Sequence, residues 1–457
     1  MKVLCRLSLS LLIFWFIPNL VLAKDNYPKL ANYYLSFFNQ SQYSDLSRWD
    51  LLVLQPEMVY YQSAFFSYYR QHQPSGKLLA YTYPAMYYRP AVFYDYLGLR
   101  NRIYKEIKDN NWWLRNAQGR VVEAWPNMGV VNLSREAWRN FNLDYLDKTF
   151  YITKDWDGVF YDMVDSEVSW YDQSGIDIDA DGSVDSTKKV NQQWQLAMSN
   201  WLTASQERWP NKIITINGNS LAMYQKSVNG RMFETFPTPW EGSGTWSDSM
   251  RQYLKRLPSL NQQPNVYIIN SAYQTDSQKS LYAQMRFGLA SALLGDGYFS
   301  FDGGEKSHSE IWWFDEYEAD LGGAEGEAVN LSLPQSDSVS AGLWRRDFAR
   351  GIVLVNSTKQ ALSVHLPPGQ FKRLKGYQDP NINNGQEVED LSLCPMSGII
   401  LLKQKVKQKE LVGRQATCFD YQANNQPNSW LERATKQFRR LLRQTKLWFK
   451  YFHYGKK

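Results

Sequence analysis

The stretch Trp156-Asp157-Gly158-Val159-Phe160-Tyr161-Asp162-Met163-Val164-Asp165-Ser166-Glu167 passes from an apolar run into a cluster of carboxylates. Gly158 to Tyr161 read as a strand buried on both faces, the pattern of a parallel sheet covered by helices. If such a sheet closes into a barrel, an acid at the end of the strand falls at the C-terminal mouth, where barrel enzymes carry their chemistry. Asp162 alone reads equally well as a calcium ligand or a helix cap.

Runs of the same texture recur outward from this one: Asn32 to Phe38, Leu51 to Leu54, Leu78 to Tyr83, Lys212 to Asn217, Arg231 to Phe236, Asn265 to Asn270 and Gly297 to Phe301. Helical patterns fill most of the intervals, at Phe93 to Asp109, Arg135 to Thr153, Val190 to Arg208, Asp248 to Arg256 and Ser277 to Leu294. The interval after the first run is the weakest. Eight alternations of strand and helix predict an α/β fold, a (β/α)8 TIM barrel over residues 24–325. An open doubly wound sheet is the competitor, but no Gly-rich phosphate loop follows the first strand.

After Leu321-Gly322-Gly323 the chain changes to short β-like runs at Ser340 to Arg345, Gly351 to Asn356, Ala361 to Leu366 and Gly398 to Leu402. Turn signals such as Pro367-Pro368-Gly369 separate them, which predicts a small C-terminal β-sandwich over 326–405. Its expected role is structural, since it has few aromatic residues. Residues 406–427 read as a linker. Ser429-Trp430-Leu431-Glu432 then has the capping-box pattern that opens a helix, and residues 428–457 read as a terminal basic amphipathic helix. Such a helix suits a membrane surface or an envelope protein groove, or it packs back on the domain with a solvated basic face.

The first 23 residues carry Lys2 and Arg6, then an apolar run, then Val21-Leu22-Ala23 before Lys24. This is the pattern of a secretory signal peptide cleaved after Ala23, with an uncleaved anchor as the other reading. A periplasmic or secreted protein is expected. Cys394 and Cys418 would remain, either as a disulfide or as two thiols. The formal charge of +6 is unevenly spread: residues 428–457 hold nine Lys and Arg against one acid, and the signal segment adds two bases. The body from 24 to 427 is therefore near −4, which argues against a nucleic-acid partner.

Several chemistries are excluded by the residues themselves. His72, His308, His365 and His453 are far apart and have no zinc spacing, and no Gly-x-Ser-x-Gly occurs. Carboxylates remain. Glycoside hydrolysis needs two, on opposite sides of the scissile bond. Asp162 ends the fourth strand and Glu234 the sixth, so in a barrel both face the same mouth. An ion pair with Arg231 is the competing role for Glu234. Asp165 binds sugar hydroxyls, orients Asp162 or caps the following loop. Aromatic residues, 15% of the chain, supply stacking faces for sugars, and Tyr83, Trp125 and Trp240 are the candidates for the cleft. Asn217 and Asn219, in Thr215-Ile216-Asn217-Gly218-Asn219, either bond sugar hydroxyls or the nucleophile, or serve a turn. Asp302, ending the eighth strand, is a further substrate-binding candidate.

Asp177-Ile178-Asp179-Ala180-Asp181-Gly182-Ser183-Val184-Asp185 matches the first half of an EF-hand loop, with Asp177, Asp179, Asp181, Ser183 and Asp185 as oxygen ligands. The twelfth place is Lys188 instead of Glu, so a complete EF-hand is excluded. A structural Ca2+ or a solvated acidic turn is left. No cofactor is expected for catalysis.

Asp-Gly-Val-Phe-Tyr-Asp at 157–162, Asp-x-Asp-x-Asp-Gly at 177–182, Ile-Asn-Gly-Asn at 216–219, Glu234, and Trp312-Trp313-Phe314-Asp315-Glu316-Tyr317 with Asp320-Leu321-Gly322 together resemble glycoside hydrolase-like family 15. That group is more distantly similar to the polygalactosaminidase-type barrels. The resemblance covers roughly residues 30 to 405. It implies a (β/α)8 hydrolase of an extracellular or cell-envelope polysaccharide, with the strand-four Asp and a later Glu as the catalytic pair, here Asp162 and Glu234. The expectation is an endo-acting glycosidase. The alternative is a non-catalytic polysaccharide-binding or exopolysaccharide-assembly protein on the same fold, and a third reading makes the tail a docking helix for a synthesis complex.

Overall fold

The computed structural model describes residues 26–88, 97–273, 278–304, 308–334 and 338–408. Eight strands form one parallel sheet in chain order: β1 (Ala31–Tyr33), β2 (Leu51–Leu54), β3 (Lys77–Thr82), β4 (Gly158–Val164), β5 (Ile213–Gly218), β6 (Gly230–Phe233), β7 (Ile268–Ala272) and β8 (Tyr298–Asp302). A parallel bridge between Leu30 and Phe299 brings β8 back to β1 and nearly closes the barrel. All eight apolar runs of the sequence are thus barrel strands.

Side-chain parity places the site. Tyr33, Val53, Tyr81, Phe160, Met232 and Ile268 fill the barrel interior, while Leu52, Ala80, Tyr161, Phe233 and Ile269 point out under the helices. A period of two carries the inward set one step further to Asp162 and Glu234, with Asn217, Asn270 and Asp302 on the same parity. The pairing of β4 with β5 slips between Ile216 and Gly218, just beyond Asp162. A Cβ on Gly218 would stand 2.2 Å from the Val164 carbonyl oxygen, so this close approach requires glycine.

The helices are α1 (Ser63–His72), α2 (Leu99–Asp109), α3 (Glu136–Phe150), α4 (Thr187–Arg208), α5 (Trp246–Arg251) and α6 (Gln278–Leu293). The sequence reading omitted α1, which buries Phe65, Phe66 and Tyr69 but is built from aromatic and polar residues of middling helix propensity. The weak interval after β1 holds only single turns at Gln40–Gln42 and Tyr43–Leu46. The described part of α2 starts at Leu99, after Gly98 in a left-handed conformation.

At the end of the barrel opposite the site a device repeats. Asp50, Asp157 and Asn229, each just before an even-numbered strand, accept the N–H of Leu30, Leu78 and Ile214 at 2.7, 2.7 and 2.8 Å. Each contact ties the start of one strand to its neighbour, as expected of the face of a barrel that serves stability.

The C-terminal region adds β9 (Val329–Asn330), β10 (Leu343–Phe348), β11 (Gly351–Asn356), β12 (Leu362–His365), β13 (Phe371–Arg373), β14 (Glu387–Val388), β15 (Asp390–Leu393) and β16 (Ser397–Lys403). Six form an antiparallel sheet in the order β9-β10-β11-β16-β13-β14, and β12 pairs with β15. Leu391 and Leu393 of the small sheet share a core with Ile352, Leu354, Ile399 and Leu401 of the large one. β10, β11, β12 and β16 match the expected runs; β9, β13 and β14 have only two or three residues, and β15, at four, was not among the expected runs.

This region is fastened to the barrel by buried charge. Arg346 on β10 donates to Asp296 Oδ1 at 2.6 Å and to the carbonyls of Leu293 and Gly326. Arg286 on α6 pairs with Asp379 at 2.7 Å and Glu316 at 3.3 Å, and Asp315 accepts the N–H groups of Tyr377 and Gln378. The acids of the Trp312 to Tyr317 motif therefore join the two regions. Cys394 is exposed and has no disulfide partner among the described residues. Its proposed partner Cys418, the signal segment 1–23, nearly all of the linker and the basic helix at 428–457 lie outside the described residues. Among the described residues no helix is long and apolar enough to cross a membrane.

Candidate active site

Asn217 Nδ2 donates to Asp162 Oδ1 and to Glu234 Oε2, both at 3.0 Å. Its two hydrogens are spent one on each carboxylate. The reverse amide orientation would set a carbonyl oxygen against two acids. The two 3.0 Å bonds limit the acceptor oxygens to a separation of at most 6.0 Å, and linear bonds along N–H directions that diverge by about 120° correspond to about 5 Å. The ion pair considered for Glu234 does not form. Arg231 lies at the opposite parity, outside the barrel, and pairs instead with Glu241 at 2.7 Å and with Ser220. That buried pair anchors the loop that carries Trp240.

Asp162 is the better solvated by protein. It accepts Tyr81 Oη–H at 2.6 Å, the Met163 N–H at 2.8 Å and the Asn217 amide, with Tyr33 Oη marginal at 3.5 Å. Tyr81 has one hydroxyl proton and gives it to Asp162, so the Tyr83 hydroxyl, 3.0 Å away, donates to Tyr81. The tyrosine expected in the cleft is thus one step removed from the acid, and Tyr81 is the direct partner. Both phenols are held well above their usual pKa by burial and the Asp162 charge, so they stay protonated as donors.

Burial raises the pKa of Asp162, opposed by the bonds from Tyr81, Met163 and Asn217. Burial and then the Asp162 charge push Glu234 up to about 7, with Asn217 and His308 opposing. Asp162 has three close donors and Glu234 one, so Asp162 ionises first and Glu234 keeps its proton near neutrality. This is the divergence that assigns acid and base in a carboxylate pair.

Each carboxylate is followed by a residue in the left-handed region, Met163 at φ 59° and Thr235 at φ 54°. A β-branched residue is rare there. Such strain clusters at functional sites.

Asp165 accepts Tyr171 Oη–H at 2.6 Å, and burial pushes its pKa up to about 6. Its carbonyl accepts Trp194 and Tyr224, so it belongs to the support of the β4 loop as well as to the acid cluster. Asp302 is buried and accepts Asn270 Nδ2 at 3.1 Å, the Gly304 N–H at 2.8 Å and His308 Nδ1 at 3.1 Å. His308 was set aside in the sequence because its spacing to other histidines is meaningless. It reaches the site from the loop after β8, which no motif marks. Burial lowers its pKa, but Asp302, Glu234 and Asp162 outweigh this and raise it.

Trp125, 39% exposed on Glu123–Trp125, and Trp240, 51% exposed, show ring surface to solvent from loops on the site's side of the barrel. Asn219 uses its backbone N–H to close the β4–β5 irregularity on the Val164 carbonyl at 3.0 Å.

In the acidic loop, oxygens of Asp177, Asp179 and Asp185 converge within 4.8 Å of one another. Asp181 and Ser183 stay outside this group. Asp181 Oδ1 accepts the Ser183 N–H, and Asp177 accepts the N–H groups of Asp181 and Gly182. Lys189 Nζ lies 2.5 Å from both Asp179 and Asp185, supplying the positive charge there.

No curated protein matches the sequence. Similar solved structures include the glycoside hydrolase domain of PelA from Pseudomonas aeruginosa, at 15% identity over 60% of this chain and 96% of that one, TM-score 0.39. Others are the noncanonic maltogenic α-amylase AmyB from Thermotoga neapolitana (10% identity, 82% and 98% covered, TM-score 0.45) and the GH36 α-galactosidase AgaB from Geobacillus stearothermophilus (12%, 82% and 55%, 0.44). The sequence pattern of one family matches residues 70–352, more than half of the chain, and the protein belongs to that family, hypothetical glycosyl hydrolase family 15.

Proposed function

We propose that the protein is a retaining endo-glycosidase of an extracellular or cell-envelope polysaccharide, with Asp162 as nucleophile and Glu234 as acid and base. The observation that carries this reading is the single Asn217 amide bonded to both carboxylates. The two bonds cap the spacing at 6.0 Å, and linear bonds give about 5 Å, which supports the retaining range of about 5–5.5 Å over the roughly 6.5–9.5 Å that an inverting enzyme needs to admit water.

In the first step Glu234 gives its proton to the glycosidic oxygen while Asp162 attacks the anomeric carbon, forming a glycosyl ester and releasing the leaving chain. Glu234, now ionised, takes a proton from water, which opens the ester and restores both acids. Tyr81 and Asn217 hold the nucleophile through both steps. The exposed rings of Trp125 and Trp240, on segments that follow β3 and β6, offer stacking faces of the kind an endo-acting cleft uses. The signal pattern of residues 1–23 supports export, the tail supports contact with a membrane surface or envelope protein, and the Asp177–Asp185 loop is a structural Ca2+ site that opens when Lys189 swings away.

The test is a reducing-end assay on a panel of neutral and amino-sugar polymers, with NMR of the first anomer released. Retention of configuration is expected, with loss of turnover in Asp162→Asn and Glu234→Gln. Inversion, or equal cleavage by both variants, overturns the assignment.

A further inference from the structure

Most of the groups around the carboxylate pair are acids or phenols, and one is a base. His308 is held on three sides: Nδ1 by Asp302 at 3.1 Å, the ring edge-to-face on Tyr33 with centroids 4.7 Å apart, and the backbone carbonyl by the Leu35 N–H at 2.7 Å. Asp302 is itself fixed by Asn270 and Gly304, so it cannot turn away. Among the described residues Nε2 has no partner, and about a quarter of the side chain is open to solvent. A buried carboxylate on Nδ1 fixes the tautomer and orientation of a ring and leaves Nε2 for another acceptor.

We propose that His308 is the cation of this site: oriented by Asp302, it offsets part of the negative charge around Asp162 and offers Nε2–H to a hydroxyl of the sugar seated between Asp162 and Glu234. The sugar contact rests on the glycosidase reading; the charge role does not. The titratable groups that face the ring are Asp302 from β8, Asp162 from the end of β4, Glu234 from just after β6, Tyr33 from β1, and Tyr81 and Tyr83 beyond it. Nearby Glu310 is turned to the Ser309 N–H. With the Asp162 and Asp302 carboxylates charged and Glu234 protonated, an imidazolium brings the cluster from −2 to −1. When Glu234 ionises during the first step, the same cation faces one more negative charge, which favours that proton transfer. His308 is thereby a positioning residue as well as a sugar donor.

The experiment is a 15N NMR pH titration of the histidines in the full chain, with His308→Gln identifying the His308 signal. An elevated His308 pKa is expected. It should fall in Asp302→Asn and fall by a smaller amount in Asp162→Asn and in Glu234→Gln. If His308 titrates as an ordinary exposed histidine, or ignores both catalytic substitutions, the proposal is wrong whether or not the protein cleaves sugars. On a polymer that the wild type cleaves, His308→Gln should lower kcat at least tenfold with little change in KM and move the alkaline limb to higher pH, because the cation that lowers the Glu234 pKa is gone. His308→Ala should lose more. Unchanged kcat and limbs in His308→Gln refute the role in turnover. Failure of the wild type to cleave any polymer bears on the glycosidase reading alone, because the titration still decides the charge role.

Discussion

Replacing Tyr81 by Phe removes one hydrogen bond from Asp162 and almost no volume. The bond is short, 2.6 Å, and has a carboxylate acceptor, which places it among the strong class. Bonds to charged groups contribute about 1.5–3 kcal/mol, which corresponds to a rise of roughly one to two units in the Asp162 pKa. Asp162 must be ionised to attack. On the acid side of the optimum its ionised fraction therefore falls about ten- to a hundredfold, and kcat/KM with it. The alkaline limb, governed by Glu234 near 7, should stay in place, so the bell narrows from one side. The assay is the pH profile of kcat/KM for wild type, Tyr81→Phe and Tyr83→Phe on one cleaved polymer. Tyr83 donates to Tyr81 and not to the acid, so its variant should shift the acid limb less. Superimposable wild-type and Tyr81→Phe profiles, or an equal shift from Tyr83→Phe, refute the assignment of Asp162 as the ionised partner.

The raised Glu234 pKa also has a sign for stability. A value of about 7 in the fold against 4.5 for the free group means that folding favours the protonated form. That contribution is fully present below about 4.5 and is lost as pH rises through about 7, so Glu234→Gln should match wild type near pH 4 and exceed it by up to roughly 3 kcal/mol above pH 8. Thermal melts at both pH values check this; a difference independent of pH contradicts it. Arg346→Met leaves the carbonyls of Leu293, Gly295 and Gly326 without their donor at the joint of barrel and β region, while the exposed Asp296 keeps Tyr27 Oη–H, and should cost about 1–3 kcal/mol in urea unfolding. A second unfolding step, with the β region leaving first, would accompany it; an unchanged midpoint would show that the joint is held by apolar packing alone. Lys189→Gln removes the ammonium between Asp179 and Asp185, so millimolar Ca2+ should raise Tm more in this variant than in wild type. No Ca2+ response in either protein excludes the metal reading of the loop.

The barrel was legible because its strands are buried on both faces and separated by helices, which marks apolar runs without requiring alternation. The ends of the fourth and sixth runs then pointed to Asp162 and Glu234, because barrel strands end at one common mouth. What escaped was long-range or weakly patterned. Helix α1 lacks strong helix formers. Arg231 looked like a partner for Glu234 because the two are three residues apart, yet on a strand that spacing puts them on opposite faces. Tyr81 has the parity of Tyr83 and could have been chosen on equal grounds; only coordinates distinguish the ring that reaches the acid. His308 gave no signal because its partner Asp302 sits on a strand while it stands on the loop beyond. The Trp312 to Tyr317 motif carries acids that proved to be structural, a reminder that charged residues in a motif also join domains.

The two carboxylates share a local construction that neither motif shows in isolation. Asp162 stands where the β4–β5 register slips and Glu234 just past the end of β6, and each is followed by a non-glycine residue in the left-handed region. The left-handed conformation costs on the order of 1–2 kcal/mol for each such residue, and neither Met163 nor Thr235 has the small polar side chain that usually softens it. Replacement of either by Gly would relieve the strain and so stabilise the fold if the residue had no other duty. The turn at Met163 aims its own N–H at Asp162 Oδ1, which a relaxed strand would point into the sheet ladder. The turn at Thr235 lets Phe236 N–H bond Asn270 O on the neighbouring strand β7, which fixes the backbone beside Glu234. Met163→Gly and Thr235→Gly should therefore keep or raise Tm while lowering kcat, since the freed backbone no longer holds the carboxylates at the spacing set by Asn217. A fall in both quantities would mean that the strain is incidental to packing, and the matched turns would lose their connection to chemistry.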